Sequence, residues 1–390
     1  MKRLFISGLV VLLLPALVSG LWSAQAQTVE GTVEVAEDGS TSYVTGSDGY
    51  RYHFISEGTE LEICEGGRYS GTVQVPESVR VNGETLRVAG VAAKAFMGNT
   101  AVTDVNWDRN TQYVGPSAFF RSGMHYYWDS GYSLPKYVYP SENFINYVVQ
   151  SEIYDWDKDT PRWMFFKHNY APLTFVENLS EDEDLKWGYN PWTANDKGMQ
   201  GIYFEMRVPS AVKRDMFRGY DAQEVIGLAM EARFAAYHRF PPFSRWKWGE
   251  TEQTMGATLE KQMESRYGRT LIQSRYIGNL REEDGRVGIF EFEPKDGEAM
   301  VVIAWVLGGK IKATYVKTTD IDPEEGSVWN VDDDGTYGIP ELLCVAFDRH
   351  DNVILWFNHP APESMNLFGL RQQGDQLQPF SEEQWYVYVD

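Results

Sequence analysis

The chain is 390 residues long, 43% hydrophobic and 14% aromatic, enough for two or three domains with cores of their own. Its 56 acidic residues outnumber 35 basic ones and leave a formal charge of −21. So acidic a surface repels nucleic acid and anionic lipid, which excludes both as partners.

Lys2 and Arg3, the apolar run from Leu4 to Leu21 and the small-x-small pattern Ala24-Gln25-Ala26 read as a secretory signal peptide over residues 1–26, cleaved before Gln27. The alternative is an anchor that stays. Gly8, Pro15 and Gly20 interrupt the run and favour cleavage. No later run approaches about 18 apolar residues. The remainder is therefore expected to carry no membrane span and to be exported, to the periplasm, the cell surface or the medium. An oxidising compartment permits a bridge between Cys64 and Cys344, the only two cysteines. Each also reads as a small buried hydrophobe within a strand. Neither has zinc-site spacing.

From Gln27 to about Asp159 short strands and turns alternate. Tyr50–Ile55 has the period of a half-buried strand. Asn82-Gly83 is a two-residue hairpin turn joining Glu77–Val81 to Glu84–Val88. Val91-Ala92-Ala93-Lys94-Ala95-Phe96 then returns as Val114-Gly115-Pro116-Ser117-Ala118-Phe119, a period of 23 residues. That lies within the roughly 20–29 of leucine-rich repeats. A unit so short cannot bury its apolar face alone, so it stacks on a neighbour and leaves one side open for binding.

The order Val73-Gln74-Val75-Pro76-Glu77-Ser78-Val79, then Asn82-Gly83, then Val88, Val91 and Ala95-Phe96, resembles the opening of BspA-type leucine-rich repeat proteins. Tyr50–Ser56 resembles the strand that often precedes it, and Tyr137-Val138-Tyr139-Pro140 with Tyr147 the close of such arrays. The likeness covers roughly residues 45–160. It implies an exported microbial protein displayed at a surface and adhering to protein or glycan partners. Here only about two repeats are present, and Asn99-Thr100-Ala101-Val102 replaces the usual cysteine and leucine positions. Since about three repeats are normally needed for stability, the array is expected to lean on the C-terminal half.

Residues 123–193 mix aromatics, among them Trp128, Trp156, Trp163, Phe165, Phe166, Trp187 and Trp192, with acidic clusters. They read either as a core plug between domains or, over 126–192, as a platform for sugar rings. Farther on, a helix is expected from an Asp221 cap to Phe240, stopped by Pro241-Pro242, and a second over Thr251–Tyr267, where Met255, Leu259, Met263 and Tyr267 recur every four residues. Turns at Asp284-Gly285, Asp296-Gly297, Gly308-Gly309 and Arg349–Asn352 then separate the strands of an antiparallel meander. The expected fold class is α+β. It comprises a short, mainly β repeat solenoid over 27–160, a connecting segment over 161–200, and an α+β domain over 201–390 with helices packed on an antiparallel sheet.

The run Asn330–Glu341 has the spacing of an oxygen-ligand calcium loop, with Asn330, Asp332, Asp334 and Glu341 as candidate ligands and Gly335 at the turn. The bland alternative is a solvated acidic loop, with no cofactor at all. None of the six histidines has metal spacing, and GxSxG, P-loop and Rossmann motifs are lacking. Trp107, Tyr113 and Trp128 are candidate binding aromatics on the repeat surface. The expectation is an exported, non-enzymatic binding or adhesion protein with a protein or glycan ligand outside the cytoplasm. The alternatives are a carbohydrate-binding protein using 126–192 and a hydrolase in the C-terminal domain.

Overall fold

The structure is a computed structural model. It describes residues 28–35, 42–106, 111–124, 136–140, 147–150, 162–166, 169–179, 201–206, 227–245, 253–280, 283–321, 328–329, 335–361 and 364–386. The expected signal peptide lies outside them.

The first unit is a ring of short strands. β1 (Thr28–Val35), β2 (Ser42–Gly46), β3 (Arg51–Ile55) and β4 (Glu60–Ile63) form an antiparallel meander. After β5 (Gly71–Gln74) comes a hairpin of β6 (Ser78–Val81) and β7 (Glu84–Val91). Its turn residues Asn82 and Gly83 have φ of 51° and 90°, the left-handed pair that a tight two-residue hairpin needs. β1 pairs in parallel with β6 and β4 with β7, so the ring closes. Alternation places Val44, Tyr52, Leu61, Val79 and Val88 inside, all fully buried. Each such aliphatic side chain contributes roughly 1.5–3 kcal/mol.

From the ring the chain climbs in stacked turns. β8 (Val102–Asn106) pairs in parallel with β5, and β9 (Tyr113–Val114) with the end of β7. Ile63, Val91 and Val114 lie in register in three successive strands. The amides of Lys94, Phe96 and Gly98 donate to the carbonyls of Pro116, Ala118 and Phe120 at 3.0, 2.9 and 2.8 Å. The turns are so close that a Cβ on Gly115 would lie 2.2 Å from the Ala93 nitrogen, and one on Gly123 2.2 Å from the Thr100 carbonyl oxygen. Inside, the Phe96 and Phe119 rings stack at 5.6 Å with planes 5° apart.

The next turn comes from much later in the chain. Ser117 and Phe119 donate their amides to the carbonyls of Ala235 and Ala236, both at 2.8 Å. These belong to a short helix, α1 (Ala232–Tyr237). Tyr237 adds its ring to the aromatic column, 5.4 Å from Phe119. The Ser117 hydroxyl donates to the His238 carbonyl at 2.8 Å. The two-turn array leans here on residues from the second half, which complete its stack.

A closed antiparallel barrel follows, in the order β10 (Lys136–Pro140), β11 (Tyr147–Gln150), β14 (Gly201–Met206), β13 (Asn169–Leu179), β12 (Arg162–Phe166), β15 (Gly227–Glu231). It draws strands from all three segments that the sequence reading separated at 160 and 200. Trp163, Phe165, Leu228 and Met230 pack outward from β12 and β15 against Trp356, Ile354 and Leu343 of the last sheet.

That sheet has nine strands: β16 (Ser244–Arg245), β17 (Leu271–Leu280), β18 (Gly285–Lys295), β19 (Glu298–Leu307), β20 (Lys310–Asp320), β24 (Gln376–Tyr386), β23 (Ser364–Gln373), β22 (Val353–Ala361) and β21 (Glu341–Phe347), in spatial order. Two antiparallel meanders meet through one parallel contact, Thr314 opposite Gln376. The sheet curls until its ends touch, where buried Arg245 ion-pairs with Glu341. Val301, Ile303 and Trp305 face the inside of the curl, together with Val353, Leu355 and Phe357. Met300, Val302, Ala304 and Val306 face out, under a second helix, α2 (Ala257–Tyr267). Glu341→Ala is expected to lower stability by about 2 kcal/mol, because it leaves the Arg245 guanidinium buried without its carboxylate. Urea denaturation of the variant measures this.

The fold class expected for the C-terminal half is corrected by this arrangement. The protein is mostly β with barrel-like sheets, and among the described residues only two α-helices occur. α2 covers the outer face of the sheet, and α1 sets Phe234 edge-on to Trp356, 6.2 Å between ring centroids. The stretch read as a long helix ending at Phe240 holds a barrel strand, because Gly227–Glu231 pairs with both β10 and β12, and among its described residues only Ala232–Tyr237 is helical. A short apolar run has no periodicity that separates buried strand from helix, and pairing decides it. Asp221 and Glu224 lie outside the described residues. α2 begins at Ala257 rather than Thr251, since Gly256 sits at φ 92°, and it ends at left-handed Gly268. Cys64 and Cys344 are both free and buried, and burial pushes the Cys64 thiol up to about 12.

Candidate binding surfaces

The corners of the stacked turns form the first surface. Glu65, Gly66, Gly67 and Tyr69 from one turn and Lys94, Ala95, Met97 and Asn99 from the next line an open cleft of about 290 Å³. The Tyr69 hydroxyl donates to the Cys64 carbonyl at 2.5 Å, and Asn99 donates its side-chain amide to the Tyr69 carbonyl at 3.1 Å. The floor of the cleft is therefore held by bonds across turns. Lys94 stands on a left-handed residue (φ 62°) and Met97 is 41% exposed. An exposed flexible thioether beside an ammonium suits an adaptable protein contact.

The second surface is the outer face of the ring. Glu62 accepts from the Tyr113 hydroxyl at 2.6 Å and lies 3.3 Å from His53 Nδ1. The hydrogen bond to Glu62 raises the His53 pKa from its ordinary value, against the burial that lowers it. Arg51 stacks on Tyr43 at 3.7 Å alongside. Sequence reading missed this His–Glu–Tyr set. The alternation of Arg51 and His53 with Tyr52 places the first two on one face, but the pairing of Glu62 with Tyr113 spans 51 residues.

The third is a cleft of about 210 Å³ at the seam where the stacked turns meet the last sheet, lined by Phe119, Arg121, Ser122, Met124, Tyr237 and Arg349. Arg121 ion-pairs with Asp351.

Of the sequence candidates, Tyr113 is half-buried. Burial first, then the Glu62 carboxylate, pushes its phenol far above the usual range, and its ring meets Trp163 edge-on at 5.9 Å. Trp163 in turn donates its indole N–H to the Val114 carbonyl at 2.7 Å. Tyr113 is thus a joint between the stacked turns and the barrel. Trp107 and Trp128 lie outside the described residues. Of the aromatics named for the platform, Trp163, Phe165 and Phe166 are described and buried, while Tyr170 in the same stretch is 40% exposed. Asn330, Asp332 and Asp334 also lie outside, while Glu341 opens a strand with its carboxylate on Arg245.

Inside the curled sheet one polar cluster stands out. The buried Glu291 carboxylate accepts from Gln273 at 2.6 Å and from the Tyr337 amide at 2.9 Å, and the Tyr337 ring covers His359 at 4.5 Å. Burial lowers the His359 pKa to about 4. Tyr337 is itself only 3% exposed. These groups are engaged with one another beneath it, and a further open groove of about 440 Å³ lies between α2 and β17, lined among others by Glu260, Glu264 and Gln273.

No protein-family model, curated protein or solved structure matches the chain. Among the described residues, no helix is long and apolar enough to cross a membrane.

Proposed function

We propose that the chain is an exported protein of the adhesion type, not an enzyme, and that it binds a macromolecular partner through the corners of its stacked turns. The observation that carries this is the division of labour within each turn. The Ala-Phe positions at 95–96 and 118–119 are buried in the column, whereas the corner at 94–99 and the preceding turn at 65–69 open an adaptable cleft with Met97 at its rim. The likeness of the repeat to BspA-type arrays supports the same reading, as does the signal-like N-terminus.

The test is binding of the whole chain to an array of extracellular-matrix proteins and glycans, with a Lys94→Glu/Met97→Asp variant beside it. Both side chains are at the surface, so the variant should fold normally. A protein ligand bound by the parent and weakened about ten-fold or more by the variant is expected, the scale of a buried contact residue. Silence of the parent, or equal binding by both, would contradict the proposal.

A further inference from the structure

Three non-glycine residues of the repeat stand in left-handed backbone, Lys94, Ser117 and Arg121, and of these only Arg121 takes a position that its counterpart fills with glycine. With a 23-residue period, Arg121 occupies the place of Gly98. Gly98 adopts φ 72°, which glycine accepts freely, and Arg121 is forced to φ 55° at the same corner. A side chain in left-handed backbone carries a steric cost, and such local costs gather where a side chain is used. What the cost achieves here is placement. Arg121 lines the seam cleft together with Phe119, Ser122 and Tyr237.

A second guanidinium comes from the opposite wall on a fixed turn. Asp348 accepts from the amides of His350 and Asn352 at 2.8 and 2.9 Å and from the Asn352 side chain at 3.0 Å. This presents Arg349 at the same cleft. Two arginines therefore converge on a small pocket in a chain of charge −21. Arg121 ion-pairs with the exposed, displaceable Asp351, and its guanidinium lies 5.3 Å from the centre of the Phe120 ring. Planar guanidinium groups match carboxylates two bonds at a time. The rest of the lining, an aromatic wall with hydroxyls, suits a ring bearing several hydroxyl groups. The volume fits one residue of that size.

We propose that this seam binds a carboxylate-bearing sugar residue, a uronic acid, with Arg121 and Arg349 on the carboxylate and the half-buried Tyr237 side chain against the ring. The site is separate from the corner cleft and stands whether or not that cleft binds protein.

Calorimetric titration of the whole chain with glucuronate and galacturonate tests this, beside glucose, galactose, acetate and a short peptide with a free C-terminus. At least one uronate should bind, with the neutral sugars, acetate and the peptide each about ten-fold weaker or more, and Arg121→Gln or Arg349→Gln should weaken it by a similar factor. Asp351→Asn should act in the opposite direction, tightening binding several-fold by freeing Arg121, an effect that mere damage to the fold does not produce. Thermal melts of the variants confirm that they are folded. No uronate binding up to about 10 mM, which corresponds to less than 3 kcal/mol, would overturn the proposal. So would equal binding of a neutral sugar, acetate or the peptide, indifference to both arginines, or no gain from Asp351→Asn.

Discussion

Gly115→Ala should cost about 3–4 kcal/mol, at the upper end of what overpacking does, because the added methyl meets backbone rather than a side chain that can rotate away. The atoms in its path are the Ala93 nitrogen at 2.2 Å and the Ala92 carbonyl carbon at 2.5 Å, both in the preceding turn. The turns must part, and with them the hydrogen bonds from Lys94, Phe96 and Gly98 to the turn above. Gly98→Ala is the control. That glycine has positive φ but open space around it, so only the conformational cost of about 1 kcal/mol applies. Urea midpoints of the two variants separate the effects. Similar losses would mean that backbone conformation, and not close stacking, is what these glycines provide.

The second large effect is on pH. His238 is fully buried, stacked on Phe234 at 3.9 Å with Nδ1 2.8 Å from the Phe234 carbonyl, and burial lowers its pKa to about 4. His359 is lowered similarly, by burial and then by Lys317. Both imidazoles are neutral when folded. In the unfolded chain they take up protons as the pH falls through about 6.5. Their contribution is therefore complete above that value, declines between about pH 6.5 and 4, and levels off below. Between pH 7 and pH 5 each should remove about 2 kcal/mol of stability, in a range where most carboxylates are still ionised. His53 acts with the opposite sign, since its raised pKa adds stability that is lost as pH rises; it is partly exposed and screened, so its effect is small. Urea midpoints at pH 7 and pH 5 for the parent and for His238→Asn or His359→Leu measure this. A slope unchanged by either substitution would show that the imidazoles are not buried neutral.

The parts of the fold that were legible in the sequence are those that short-range chemistry determines. Asn82-Gly83 announces a tight hairpin because few other pairs accept two left-handed residues in a row. The 23-residue echo of Ala95-Phe96 in Ala118-Phe119 announces stacking. Gly268 marks a helix end for the same reason as the hairpin glycine. What stayed hidden depends on distant partners. Ala236-Tyr237 repeats the small-aromatic pair of the inner column, yet Ala236 lies 118 residues beyond Ala118 and at no repeat spacing. The apolar run Gly227–Met230 suits helix and buried strand alike, and only β10 and β12 make it a strand. Of the seam site, Arg121 in a glycine position was readable as a departure from the repeat. Arg349 was not, because it reaches the cleft from a turn more than two hundred residues away.

These particulars converge on the stretch 227–245, which, among the described residues, joins the barrel, the stacked turns and the nine-stranded sheet. Its first strand closes the barrel, its helix caps the stacked turns, Arg239 exchanges both backbone hydrogen bonds with Phe347, and Ser244–Arg245 joins the edge of β17. The stacked turns and the curled sheet are thereby held as one body, with the seam cleft between them. Hydrogen exchange at the amides of Ser117 and Phe119 in the whole chain tests this most directly, since their only backbone acceptors shown are Ala235 and Ala236. Protection equal to that of the Phe96 amide, which lies one turn farther in, is the expected result. Exchange of Ser117 and Phe119 at the rate of an open strand edge, with Phe96 still protected, would show that the stack ends at two turns and that α1 does not complete it.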